Sequence, residues 1–297
     1  MSRVYCSDAA RLRGDDNTAT AARIDTWILV ELPITWGRDP ITEAALPQIV
    51  RDALWRASHE IPRSRVVFIR KRVECLGPTR VYIVRSAPQV GMTQLDLDSL
   101  DEVATIPFIS LVNDTHAPAA RPLVLVCTHG QHDSCCGRRG YPLFDALRQR
   151  EDLEVWQCSH IGGDRFAANA VVLPWGIYYG PVEARDANTL ADAIAAEEVF
   201  LPGYRGRSSM PRPVQAAETF IRRELNLLAR DAFEFVRRDA LEHGRTRVRL
   251  RDRNGSVHDV TIEQFQSAET AMLTCTSQEP AAVPQFRLVE YTRPGVR

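Results

Sequence analysis

The chain has 297 residues, 44% hydrophobic and 25% charged, with a net charge of -1. That balance gives no global basic field for nucleic acid, and no apolar run reaches the roughly 20 residues of a membrane span. The N-terminus, MSRVYCSDAARLRGDD, lacks a charged stretch followed by an apolar one, so no secretory signal is read and the cytoplasm is the default compartment. Thiols stay reduced there, and seven cysteines then speak for metal or redox chemistry rather than a disulfide frame.

Residues 1 to 18 are polar and aperiodic and are expected to be a mobile lead-in. TWILVELP (26 to 33) is a short apolar run that reads as a buried strand, followed by the loop TWGRDP. Residues 47 to 58 carry Ile49, Val50, Leu54 and Trp55 at helical spacing. VVFIRK (66 to 71) and RVYIVRS (80 to 86) are β-branched and aromatic, hence strands. Residues 94 to 109 read as a polar-acidic connector, and NDTHAPAARP (113 to 122) as a linker.

A second α/β unit follows. PLVLVC is a buried strand, GYPLFDALRQR (140 to 150) a helix, and EVWQCSH another strand. AVVLPWG and IYYGPV form a hairpin, and residues 188 to 198 an alanine-rich helix. This order is close to that of a thioredoxin-like domain. Beyond it, residues 201 to 215 are a basic Gly/Pro connector, and the arginines of 205 to 223 are expected on a solvated or domain-docking face. Residues 216 to 242 read as one long helix, with Phe220, Leu225, Leu228, Phe233 and Val236 on its inner face. TRVRLRDRNGSVHDVTI (246 to 262) reads as a hairpin with a type I′ Asn-Gly turn, and RLVEY (287 to 291) as a last strand.

The chemistry concentrates in residues 121 to 182. Cys127 and Cys136 are separated by eight residues, longer than the gap preferred between paired ligands of a zinc knuckle and unlike a Cys-x-x-Cys redox pair. Cys135 and Cys136 are adjacent, which suits no unstrained disulfide. His160-Ile-Gly-Gly-Asp164 places two potential ligands around a glycine turn. Cys158, two residues before His160, would share its face of a strand. Cys6, Cys75 and Cys275 lie far from this stretch and read as incidental thiols. His129 and His132 read as supporting groups, and Trp156, Trp175, Tyr178 and Tyr179 as sheet packing.

CTHGQHDSCCGRRG (127 to 140), QCSHIGGDRFAANAVVLPWGIYYG (157 to 180), YRGRSS (204 to 209) and TWGR (35 to 38) together resemble the sucrase/ferredoxin-like family. The resemblance implies a thioredoxin-like [2Fe-2S] ferredoxin domain. It is preceded by a smaller α/β domain, readable as a degenerate thioredoxin-like one, and followed by a helix and β-hairpin extension. The boundaries read are 1–115, 116–202 and 203–297. It further implies Cys127 and Cys136 as one pair of cluster ligands and His160 with Asp164 as the other. Fungal relatives carry HxGGH where this chain has Asp164, so the fourth ligand stands between Asp164 and Cys158, with Cys135 the weaker candidate. Imidazole ligation raises the reduction potential relative to thiolate, and Arg138, Arg139 and Arg165 are expected to stabilise the reduced state or steer an acidic redox partner protein. No carboxylate pair supports glycoside hydrolysis. The alternatives are a thiol redox enzyme or sensor using Cys135, Cys136 and Cys158, and a zinc-stabilised binding module.

Overall fold

The computed structural model describes residues 4–71, 78–115 and 121–293. Helix α1 (Cys6–Arg13) is followed by strand β1 (Thr26–Glu31), the single turn α2 (Pro40–Glu43), helix α3 (Gln48–Glu60) and strands β2 (Ser64–Arg70), β3 (Thr79–Arg85) and β4 (Gly91–Leu97). Helix α4 (Phe108–Asp114) leads to β5 (Leu123–Cys127), α5 (Ser134–Leu147), β6 (Glu154–Cys158), β7 (Ala170–Leu173), β8 (Ile177–Tyr179) and α6 (Ala187–Ala195). Strand β9 (Tyr204–Arg207) and helix α7 (Arg212–Leu225) precede β10 (Phe233–Ala240), β11 (Arg245–Asp252), β12 (Val257–Ala271) and β13 (Ala281–Thr292).

Nine strands form one sheet in the order β4-β3-β1-β2-β6-β5-β7-β8-β9. Strand β1 runs parallel to β2 and antiparallel to β3, which pairs antiparallel with β4. Strand β5 repeats the pattern: parallel to β6, antiparallel to β7, which pairs antiparallel with β8. Each half is thus a thioredoxin-like layer, and the halves join edge to edge where β2 meets β6 antiparallel. The strand order is mirrored about that seam.

The central strands are buried on both faces, which is why they read as continuous apolar runs rather than alternating ones. On the outer face, Val50 and Leu54 of α3 and Phe108 of α4 cover Ile28, Val30 and Phe68. Leu143 and Leu147 of α5 and Leu190 of α6 cover Val124, Val126 and Val172. Among the described residues the inner face is covered by no helix beyond the first turn of α5 at Cys136; it closes on itself. Trp27 of β1 and Tyr178 of β8 have ring centroids 6.0 Å apart although four strands lie between them in the sheet. They share one core with Leu125, Cys127, Trp156 and Cys158. Residues 20 to 24 complete the curl, Thr20 and Ile24 donating their N–H groups to the carbonyls of Arg205 and Ser208 at 3.0 Å each.

Several elements depart from the sequence reading. The expected lead-in folds as α1, with Cys6 and Ala10 buried. The expected acidic connector overlaps the end of β4 and the start of α4. The expected linker at 113–122 falls partly on residues 116–120, outside the described residues, as does Cys75. Helix α5 starts at Ser134, well before Gly140, because Asp133 caps it. The expected helix over 216–242 stops at Leu225, where Asn226 turns left-handed at φ +51°. Phe233–Ala240 is instead a strand, with Phe233 and Phe235 packed on the core of the C-terminal sheet. The expected C-terminal hairpin is the centre of a four-stranded sheet, β10-β11-β12-β13, against which α7 packs. Its tight turn carries Gly255 at φ +81° and is closed by Gly255 N–H donating to Asp252 O at 3.0 Å; Asn254 is not left-handed, so the turn is not type I′. Among the described residues no helix is long and apolar enough to cross a membrane.

Candidate metal centre

Cys127 ends β5 on the same face as Leu123 and Leu125, so its thiol enters the inner core. The chain then loops through THGQHD to Asp133, whose carboxylate accepts the Cys135 N–H at 2.8 Å and starts α5. Cys136 therefore sits in the first helical turn beside Cys127. The approach is close: a Cβ on Gly140 would fall 2.0 Å from the Cys127 carbonyl oxygen, so only glycine permits it.

Strand β6 places Cys158 directly opposite Cys127 in register. Beyond it, Gly162 and Gly163 adopt φ values of +95° and +87°, and this left-handed turn folds Asp164 back on His160. Arg205 holds the turn. It is fully buried and donates to Gly162 O at 3.1 Å and to Asn169 Oδ1 at 2.7 Å. Asn169 in turn donates to Gly163 O at 2.9 Å. Arg205 is therefore not on the solvated face expected for the 205–223 arginines.

The ligand atoms of Cys127, Cys136 and His160 lie within 4.8 Å of one another, and His132, His160 and Asp164 form an overlapping group of the same span. Cys136 donates to Asp164 Oδ1 at 3.3 Å, and His160 Nδ1 lies 3.1 Å from that oxygen. The Nδ1 atom is buried, and its contact with that oxygen is an ion-pair approach. A buried imidazole beside two thiols and a carboxylate has the chemistry of a metal-ligand set. The set is a Cys-rich potential metal site.

Its electrostatics are mutually balanced. Hydrogen bonds from Cys136 and Cys158, with His160 adding to them, hold Cys127 well below the usual thiol range against the cost of burial. Cys136 is pushed well up by its bond to Cys127 and by burial, and Cys158 by burial and then by Cys127. Burial lowers His160, but Asp164 and Cys127 more than offset it and bring it to about 9. Cys127 and His160 thus favour each other's charged form, and metal binding would release protons from the site.

The loop after β1 caps this centre from the other half of the sheet. His129 Nδ1 accepts the His160 N–H at 3.2 Å, which leaves its Nε2–H to donate to Gly37 O at 2.5 Å. Both ring nitrogens are spent, and burial keeps the ring neutral by lowering its pKa. His132 donates Nδ1–H to Arg38 O at 3.1 Å, and its ring stacks on His160 with centroids 3.7 Å apart. Trp36 meets His129 edge-on at 5.7 Å. A cleft of about 390 Å³ lined by Arg38, Arg65, His132 and His160 opens onto the centre.

Of the residues singled out in the sequence, Cys127, Cys136, His160 and Asp164 come together. Cys158 reaches Cys127 but does not join the wider groups. Cys135 turns away from Cys136, so Cys135, Cys136 and Cys158 do not form one reactive group. The neighbouring arginines are committed to carboxylates: Arg138 and Arg139 to Asp8, Arg139 also to Glu183, and Arg165 to Asp15 at 3.4 Å. Cys6 and Cys275 are not incidental, since both converge on Cys135. Arg205, Asn169 and Gly140 were not singled out; the YRGRSS and Gly-rich motifs held them, but their partners lie in remote segments.

Three comparisons bear on this centre. The sequence profile of the family described as sucrase/ferredoxin-like matches residues 18–206. Two curated relatives, both named altered inheritance of mitochondria protein 32, are similar over a shorter stretch. The one from Eremothecium gossypii is 33% identical over 104 residues, 30% of this chain and 33% of its own length. The one from Meyerozyma guilliermondii is 33% identical over 95 residues, 28% and 34% respectively. The chain thus spans about a third of the length of these relatives. A solved structure of a thioredoxin-like [2Fe-2S] ferredoxin from Aquifex aeolicus aligns at a TM-score of 0.27 and 18% identity, covering 31% of this chain and 97% of the ferredoxin.

Proposed function

The chain belongs to the sucrase/ferredoxin-like family, and from that premise we propose that it is a one-electron carrier holding a [2Fe-2S] cluster. The observation that supports the reading most is the buried His160 imidazole, which offers a ring nitrogen within 4.8 Å of the Cys127 and Cys136 sulfurs. In this proposal Cys127 and Cys136 bind as thiolates, His160 as neutral imidazole, and Asp164 as the fourth ligand. Asp164 is favoured over Cys158 because its carboxylate touches both Cys136 and His160, at 3.3 and 3.1 Å, whereas Cys158 addresses Cys127 alone. The cluster would supply a reversible one-electron couple, raised relative to all-thiolate ligation by imidazole.

The protein's own residues would position the ligands and seal them. Gly140 lets α5 approach β5, Arg205 fixes the glycine turn, and His129 with Gly37 closes the cap. The stacked His132 and His160 rings reach the cleft beside Arg38 and Arg65, the face we assign to an electron-exchanging protein partner with acidic residues. A reducing compartment such as the cytoplasm suits so many free thiols.

The test is a ligand series on protein prepared without air. Wild type should be red-brown and bleach with dithionite, Cys127→Ser and Asp164→Ala should lose or shift the visible bands, and Cys158→Ala should keep them. A colourless wild type, or bands lost with Cys158→Ala and kept with Asp164→Ala, would overturn the assignment.

A further inference from the structure

On the far side of Cys136, a second thiol cluster gathers three segments distant in sequence. Cys6 comes from α1, Cys135 from the first turn of α5, and Cys275 from the loop joining β12 to β13. Their sulfurs form a triangle with sides of 3.5, 3.2 and 3.6 Å. Asp133 stands over it, one carboxylate oxygen 3.9 Å from the Cys6 sulfur, while its two oxygens accept the N–H groups of Cys135 at 2.8 Å and Cys275 at 2.6 Å. The Ser7 N–H points at the Cys135 sulfur at 3.4 Å.

We infer that Cys6, Cys135 and Cys275 form a second metal site, distinct from the cluster centre, which takes a single zinc ion with Asp133 as its carboxylate ligand. The argument is geometric. Metal–sulfur bonds of about 2.3 Å at tetrahedral angles put thiolate sulfurs roughly 3.8 Å apart, close to the observed triangle. An iron–sulfur cluster spreads its thiolates farther, because metal–metal edges lie between them. A disulfide uses two cysteines, whereas here each of three sulfurs meets the other two. Soft thiolates with one carboxylate suit zinc, whose binding would displace the thiol protons into solvent.

The site would also explain why the vicinal pair is split. Cys136 serves the inner centre and Cys135 the outer one, so one helical turn carries a ligand to each. Zinc would pin α1 and the loop between β12 and β13 to the start of α5, a junction that Asp133 already holds without it. Ion pairs from Asp8 on α1 to Arg138 and Arg139 reinforce the same junction.

The experiment is metal analysis of the full-length chain, expressed with added zinc and iron and purified without air. Wild type should hold one zinc per chain whatever its iron content. Cys6→Ser and Cys275→Ser should each lower zinc at least tenfold and leave iron unchanged, and Cys127→Ser should do the reverse. Cobalt exchanged into wild type should give thiolate-to-cobalt absorption, a readout that needs no variant to fold. Zinc retained in both serine variants, wild type without zinc or the cobalt band, or a thiol count showing a disulfide among these cysteines would each overturn the proposal. Zinc present with iron absent would sink the cluster reading and leave this one standing.

Discussion

The two halves of the nine-stranded sheet share one strand order and differ in what their loops carry. Strand β5 ends in Cys127, with Cys136 beyond it; β1 ends at the corresponding place in Glu31, followed by Leu32 and the TWGR loop, with no thiol. The first half nevertheless takes part, because the carbonyls of Gly37 and Arg38 accept from His129 and His132 of the second. One layer carries the candidate ligands and the other a lid. The scaffold does not decide the chemistry; side chains at the strand ends do. The helices report the same division. Helix α3 packs through Val50, Ala53, Leu54 and Ala57, while α5 needs Gly140 so that a thiol-bearing turn can lie against β5.

If the halves divide labour in this way, the largest effect should come from the ligand-bearing one. Cys136→Ser should abolish nearly all bound iron, read as iron per chain, with little change in far-ultraviolet circular dichroism. Gly140→Ala should follow, costing on the order of 4 kcal/mol in urea unfolding, because its methyl would overlap the Cys127 carbonyl rather than a side chain that can move. An alanine is already present at Ala53 and Ala57 of α3, and a stable Gly140→Ala protein would break the comparison.

A change outside both layers serves as control. Glu218 of α7 is buried between Arg207 at 3.1 Å and Arg222 at 2.9 Å. Burial pushes its carboxyl up, but the two guanidiniums overcome that and hold it below the usual range. Its stabilisation is therefore complete above the ordinary carboxyl range and lost as pH falls through the lower folded-state value. Glu218→Gln should cost about 3 kcal/mol at neutral pH, and the gap to wild type should narrow below about pH 4, with iron per chain unaltered at neutral pH. The smallest effect should be His132→Ala. Its ring nitrogen is spent on Arg38, so iron content should change by less than about twofold, while the reduction potential shifts with loss of the ring stacked on His160.

Much of the inner group of thiols, His160 and Asp164 was legible because its members lie in two short runs, each at the end of an apolar strand, with glycines marking the turns. The strands β1, β2, β3, β5 and β6 were legible for the same reason: burial on both faces leaves an unbroken apolar signal. What failed was of another kind. The strand Phe233–Ala240 is mostly exposed, and Phe233 and Val236 happened to continue the helical spacing of α7, so nothing before Asn226 announced the break. Arg205 looked like one more surface arginine, since only the fold reveals the carbonyls of Gly162 and Thr20 that surround it. The Cys6–Cys135–Cys275 triangle joins residues up to 269 apart, and no local spacing encodes such a meeting.

The cluster proposal stands or falls on imidazole ligation in the second half of the sheet. Electron paramagnetic resonance of the dithionite-reduced full-length protein, grown with isotope-labelled histidine, addresses it directly. The expected result is the signal of a reduced [2Fe-2S] cluster with hyperfine coupling to a labelled ring nitrogen, and loss of that coupling in His160→Cys. A reduced protein with no such signal, or a cluster signal without nitrogen coupling, would contradict it.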